Sequence, residues 1–76
     1  MTTQQPRARE RQHRILDAAL RIFSRRGYRD ASVDDIAQGS HTSKGGVYFH
    51  FPNKESIFLA LLDRTTARLL ERIETA

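Results

Sequence analysis

A chain of 76 residues has room for one domain, and a hydrophobic fraction of 38% supports one small core. No run approaches the ~20 apolar residues that span a bilayer, no apolar segment follows the polar start as in a signal peptide, and the absence of cysteine excludes disulfide scaffolds, thiol chemistry and cysteine zinc sites. The net charge of +4 is lopsided: residues 1–31 carry eight Arg against three acids, whereas residues 32–76 carry five basic and six acidic side chains, so the basic end points to nucleic acid or an anionic membrane surface.

Residues 1–8 are expected to form a disordered basic arm, the polar, aperiodic stretch 1–6 ending in Pro6 and passing into a helical pattern near Arg7. Ile15, Leu16, Ala19, Leu20 and Phe23 make one apolar stripe at helical spacing, and Arg14, Asp17, Arg21 and Arg25 tend to the opposite side. Arg25 and Arg26 suit the negative end of the helix dipole, and Gly27 is the expected left-handed stop. After a short connection, Ser32-Val33-Asp34-Asp35 reads as an N-cap with acids in the first turn, close to a capping box, opening a short second helix with Val33, Ile36 and Ala37 on its inner face.

Five poor helix formers, Gly39 to Ser43, end that helix. Ser43 is the N-cap of a third, running through Lys44, Val47 and Tyr48 to about His50. Pro52 stops it and pushes Phe51 out of the helical region. Asn53 then caps a fourth helix with Glu55 in its first turn and Ile57, Phe58, Leu61, Leu62, Thr65, Leu69, Leu70 and Ile73 on its apolar face. Three shorter helices cannot cover that face along its whole length, so Leu69, Leu70 and Ile73 are expected to stay exposed. The fold class is all-α: a bundle of about four helices, with a homeodomain-like three-helix core in residues 9–52 containing a helix-turn-helix, and a long fourth helix in 53–76.

Lys44-Gly45-Gly46 gives the third helix a nearly bare first turn. Each glycine costs about 1 kcal/mol relative to alanine in a helix, and a physical use for that cost is close approach of backbone to a groove floor or a phosphate. Tyr48, His50 and Lys54 follow as a phenol, an imidazole and an ammonium, all phosphate donors, clustered beside the helix end.

The stretches S-V-D-D-I-A at 32–37, S-K-G-G-V-Y-F-H-F at 43–51 and P-N-K-E at 52–55, preceded by I-L-D-A-A-L-R-I-F-S-R-R-G-Y at 15–28, resemble the TetR family of transcriptional repressors. The resemblance implies that Ser43, Lys44, Gly45 and Gly46 form the start of a recognition helix facing bases and backbone. It implies phosphate contacts for Tyr48, His50, Lys54 and Ser32, and core positions for Val33, Ile36, Ala37, Val47 and Phe51. In the turn, Ser40-His41-Thr42 stand where the family carries a small residue, a glycine and a hydrophobe. His41 must therefore adopt a left-handed conformation, and Thr42 places a hydroxyl where a methyl group is usual. Gly46 stands where a threonine is common, so base readout is expected to lean on Lys44 and on His41 or Thr42. The resemblance further implies double-stranded DNA with a palindromic operator as partner, a homodimeric full-length parent, a cytoplasmic location, and a small-molecule inducer held by a C-terminal ligand-binding and dimerising domain that would follow residue 76.

Other function classes find less in the residues. No cysteine nucleophile, H-E-x-x-H or G-x-S-x-G marks an enzyme, and no cofactor motif is present. Gly39 to Lys44 matches a phosphate-binding loop only superficially, lacking its second glycine and a preceding strand. His13, His41 and His50 are too scattered for a metal site. A membrane-surface helix is the first alternative, since the first helix is basic and amphipathic, but it lacks tryptophan and carries alanines suited to close packing. A helical protein-interaction module, driven by the fourth helix, is the second. The disposition of the glycine pair and of Tyr48, His50 and Lys54 relative to the arginines of the first helix discriminates between these readings.

Overall fold

The structure is a computed structural model that describes residues 6–75 as four helices: α1 (Pro6–Arg26), α2 (Val33–Gly39), α3 (Lys44–His50) and α4 (Lys54–Thr75). Each boundary has a local cause. Gly27 ends α1 with φ +85°, its amide donating to the Phe23 carbonyl at 2.8 Å. Ser32 caps α2 with a complete capping box: its Oγ accepts from the Asp35 amide at 3.0 Å, and the Ser32 amide donates to the Asp35 carboxylate at 3.3 Å. Bonds from the Ser32 hydroxyl and amide, followed by the charge of Arg26 at 2.9 Å, hold the Asp35 carboxyl below its usual pKa. Ser43 caps α3 by accepting from the Gly46 amide at 3.0 Å. Phe51, extended at φ −136°, ends that helix before Pro52, and Asn53 Oδ1 accepts from the Ser56 amide at 2.7 Å to start α4.

The core is a single cluster of Ile15, Leu16 and Ala19 from α1, Ile36 and Ala37 from α2, Val47 and Phe51 from the α3 segment, and Ile57 and Leu61 from α4. Ile22, Phe23 and Val33 pack at its edge. The apolar stripe of α1 is rotated slightly from its expected position: Ala18 is fully buried while Leu20 is half exposed. On α4 only the first two turns reach the core. A helix of 22 residues is about 33 Å long, so Leu62, Leu69, Leu70 and Ile73 lie exposed along the part that outruns it. Arg64, largely covered, ties α4 back to α1 through Asp17 at 3.0 Å.

One boundary differs from the sequence expectation. The arm expected over residues 1–8 is helical from Pro6, so Arg7 and Ala8 belong to the first turn of α1; a proline is compatible with that turn because the amide it lacks would have no helical acceptor there. Residues 1–5 lie outside the described residues. Among the described residues no helix is long and apolar enough to cross a membrane.

Candidate nucleic-acid interface

The turn between α2 and α3 sets the attitude of α3. The His41 amide donates to the Gln38 carbonyl at 3.2 Å and the Thr42 amide to the Ala37 carbonyl at 2.9 Å, the paired bonds of a Schellman motif. His41 occupies its left-handed position at φ +56°, where glycine is usual. Ser40 is buried, with its hydroxyl donating to the Ala37 carbonyl, and the Thr42 hydroxyl donates to the Ser40 carbonyl at 3.2 Å. The polar group that the turn placed in a normally apolar position is thereby satisfied. Two α1 arginines brace the same turn: Arg21 donates to the Gly39 carbonyl at 3.2 Å and Arg14 to the Ser40 carbonyl at 3.5 Å, cations at the negative end of α2.

On α3, Val47 faces the core, and Lys44, Gly45 and Tyr48 face outward. A side chain on Gly45 would meet nothing within 4 Å. Lys44 reaches across to Asp34 of α2 at 3.3 Å, but both side chains are more than half exposed, so this pair is weak and easily exchanged for another anion. His41 and Ser43 are exposed and Thr42 half-buried in the turn between the two helices, and Ser32 is exposed at the start of α2.

Three expected site residues make contacts within the fold. Gly46 is not bare for the sake of an outside surface: a Cβ there would lie 2.7 Å from Thr42 Cγ2 and 3.1 Å from Ser43 Oγ, so the space is already filled from within. His50 turns its Nε2 into the protein, enclosed and without a hydrogen-bond partner among the described residues. Its ring meets Phe49 edge-on at 5.1 Å and is tilted against Phe51 at 6.4 Å. Burial, and secondarily the charge of Arg11, lower its pKa from the ordinary histidine value.

The third is Lys54, whose ammonium bonds to three carbonyls of the α1–α2 connection: Tyr28 at 2.6 Å, Ala31 at 3.1 Å and Arg29 at 3.3 Å. It also sits 4.3 Å over the Tyr28 ring. That ring belongs to a cluster with Phe23 at 5.4 Å and Phe58 at 5.2 Å. The three donors of the ammonium have three internal acceptors, and Lys54 fastens the start of α4 to the loop that precedes α2.

The expected cluster is therefore divided. Lys44, Gly45 and Tyr48 are exposed, whereas Gly46, His50 and Lys54 are half-buried and engaged with neighbouring groups of the fold. Sequence reasoning passed over one outward residue, Phe49, which is 80% exposed.

Known proteins resemble this chain in sequence and in fold. Residues 15–61 match the family of bacterial regulatory proteins called the tetR family. The chain is 38% identical over 66 residues to YuxN of Bacillus subtilis, an uncharacterized HTH-type transcriptional regulator, covering 82% of this chain and 23% of that protein. It is 42% identical over 62 residues to the HTH-type transcriptional regulator EthR of Mycobacterium tuberculosis, covering 82% of this chain and 29% of the relative. The solved fatty acid degradation regulator FadR from Bacillus halodurans superposes with a TM-score of 0.82 at 27% identity, over 97% of this chain and 37% of that one. The chain thus spans less than a third of the length of these two curated relatives. With the helix-turn-helix in place and most of the chain matched, the protein belongs to the TetR family of bacterial regulatory proteins.

Proposed function

We propose that this chain is the DNA-reading unit of a transcriptional repressor, binding double-stranded DNA sequence-specifically with α3 in the major groove. The observation that carries the reading is the outward face of α3: Lys44 and Tyr48 stand beside the bare Gly45, on a helix whose attitude is set by the braced Schellman turn. Lys44 reads a base edge, exchanging its weak pairing with Asp34 for a purine acceptor. Tyr48, Ser32 and Ser43 give hydroxyl contacts to phosphate, and His41 and Thr42 lie at the rim of the same contact. Arg7, Arg9 and Arg11, on the first turns of α1, add charge for the adjacent backbone. Gly46, His50 and Lys54 act from behind, as packing and fastening residues.

In this reading the operator is a palindrome read by a homodimeric, cytoplasmic regulator. The exposed Leu69, Leu70 and Ile73 of α4 lead toward a part that dimerises and takes a small-molecule inducer. That apolar face is also what a protein-interaction module would use, and a binding selection separates the two. From a random duplex pool titrated with salt, the 76-residue chain enriches a defined half-site, and binding weakens steeply as salt rises. A pool left without enrichment at every salt concentration overturns the reading.

A further inference from the structure

We propose that Phe49 is a specificity-determining residue of the DNA face, its phenyl ring packing on thymine C5-methyl groups in the major groove; this rests on the DNA-binding reading above. At 80% exposure it is the barest of the large exposed hydrophobic side chains, and it takes no part in the core. At about 100° per residue, Lys44, Tyr48, Gly45 and Phe49 fall within one arc of about 140° on α3, with Val47 outside it, about 60° beyond Lys44 and about 160° from Phe49. Phe49 therefore shares the outward face rather than a separate side of the helix. One turn before it, Gly45 has open space where a side chain would stand, so nothing screens the ring on that side. Behind it, the edge-on contact with His50 at 5.1 Å, itself lodged against Phe51, holds the ring in place.

The chemistry selects the ligand. A phenyl ring has no donor for phosphate and no partner for the polar groups of base edges. The thymine methyl is the apolar group that the major groove presents, and apolar side chains read it by contact. Phe49 lies about 7.5 Å along the helix axis from Lys44. Ring and ammonium thus read different base pairs, and the ring adds a preference for thymine at its own position.

The experiment uses the duplex enriched by the 76-residue chain, with each thymine replaced in turn by uracil, which removes only the methyl group. Wild-type protein is expected to lose about fourfold in affinity at one or two positions, the worth of one buried methyl. Phe49→Ala is expected to bind the parent duplex that much more weakly and to ignore the same replacements, while Phe49→Leu retains part of the effect. Circular dichroism should be unchanged in both variants, because the ring lies outside the core. Equal uracil penalties in wild type and Phe49→Ala, or no penalty in either, overturn the assignment while leaving DNA binding standing. Failure of the wild-type chain to enrich any duplex removes the DNA reading and this inference together.

Discussion

Thr42 and Gly46 form a single fit: the Thr42 Cγ2 methyl occupies the space that a Cβ on Gly46 would need, 2.7 Å from its position. Rotating the threonine to make room breaks its hydroxyl bond to the Ser40 carbonyl. Gly46→Ala is therefore expected to lower stability by about 1–2 kcal/mol, the clash outweighing the helix-propensity gain of about 1 kcal/mol. Thr42→Ser, which removes the methyl and keeps the hydroxyl, should restore much of the loss in the double variant. Urea unfolding of the four proteins measures the coupling, and a Gly46→Ala variant more stable than wild type would sink the idea.

Gly45 is the control one residue away. Nothing lies within 4 Å of its missing Cβ, so Gly45→Ala should raise stability by about 1 kcal/mol. If α3 approaches DNA closely, the same methyl group should weaken duplex binding. Higher stability with undiminished affinity would remove Gly45 from the contact surface.

Lys54 offers the sharpest separation between a fastening and a DNA-gripping role. Loss of three charged hydrogen bonds to the α1–α2 connection and of the contact with the Tyr28 ring should cost Lys54→Met about 1–3 kcal/mol of stability. Because the ammonium already has internal acceptors, the dependence of DNA affinity on salt should keep its slope. Unchanged stability together with a slope reduced by about one unit would instead put Lys54 on a phosphate.

What was legible in the sequence were the features whose cause is local. The caps at Ser32, Ser43 and Asn53 and the stop at Gly27 each depend on a residue and its near neighbours, and the positive φ of His41 followed from the family resemblance, which puts a glycine there. What escaped was decided across the fold. Lys54 meets carbonyls 23 to 26 residues earlier in the chain, and Arg14 and Arg21 turn from a seemingly free basic face onto the end of α2. The reason for Gly46 lies in a threonine methyl whose direction only the turn geometry determines. Phe49 stood in a seven-residue helix between the buried Val47 and Phe51, too short a run for periodicity to assign its face.

His41 carries a removable strain. A side chain in the left-handed region costs about 1–2 kcal/mol, partly offset when glycine replaces it by the greater freedom of the unfolded chain. His41→Gly is expected to stabilise the domain by up to about 1 kcal/mol, whereas His41→Val, β-branched at φ +56°, should destabilise it. Thermal unfolding distinguishes the pair, and identical melting temperatures for all three proteins would argue that the turn relaxes freely.

His50 should make stability sensitive to mild acid. Burial, with Arg11 adding its charge, lowers the folded pKa below the ordinary 6.5, whereas the unfolded chain titrates near that value. As pH falls through 6.5 the unfolded state takes up the proton first, so the folded state loses stability until the folded pKa is passed, below which the loss levels off. Asp35, held below 3.8, does not titrate in this range. Between pH 7 and 5, wild type should therefore lose stability to urea while His50→Gln, which has no proton to gain, shows a flatter profile. Parallel profiles for the two proteins would mean that the enclosed imidazole is not what the acid reaches.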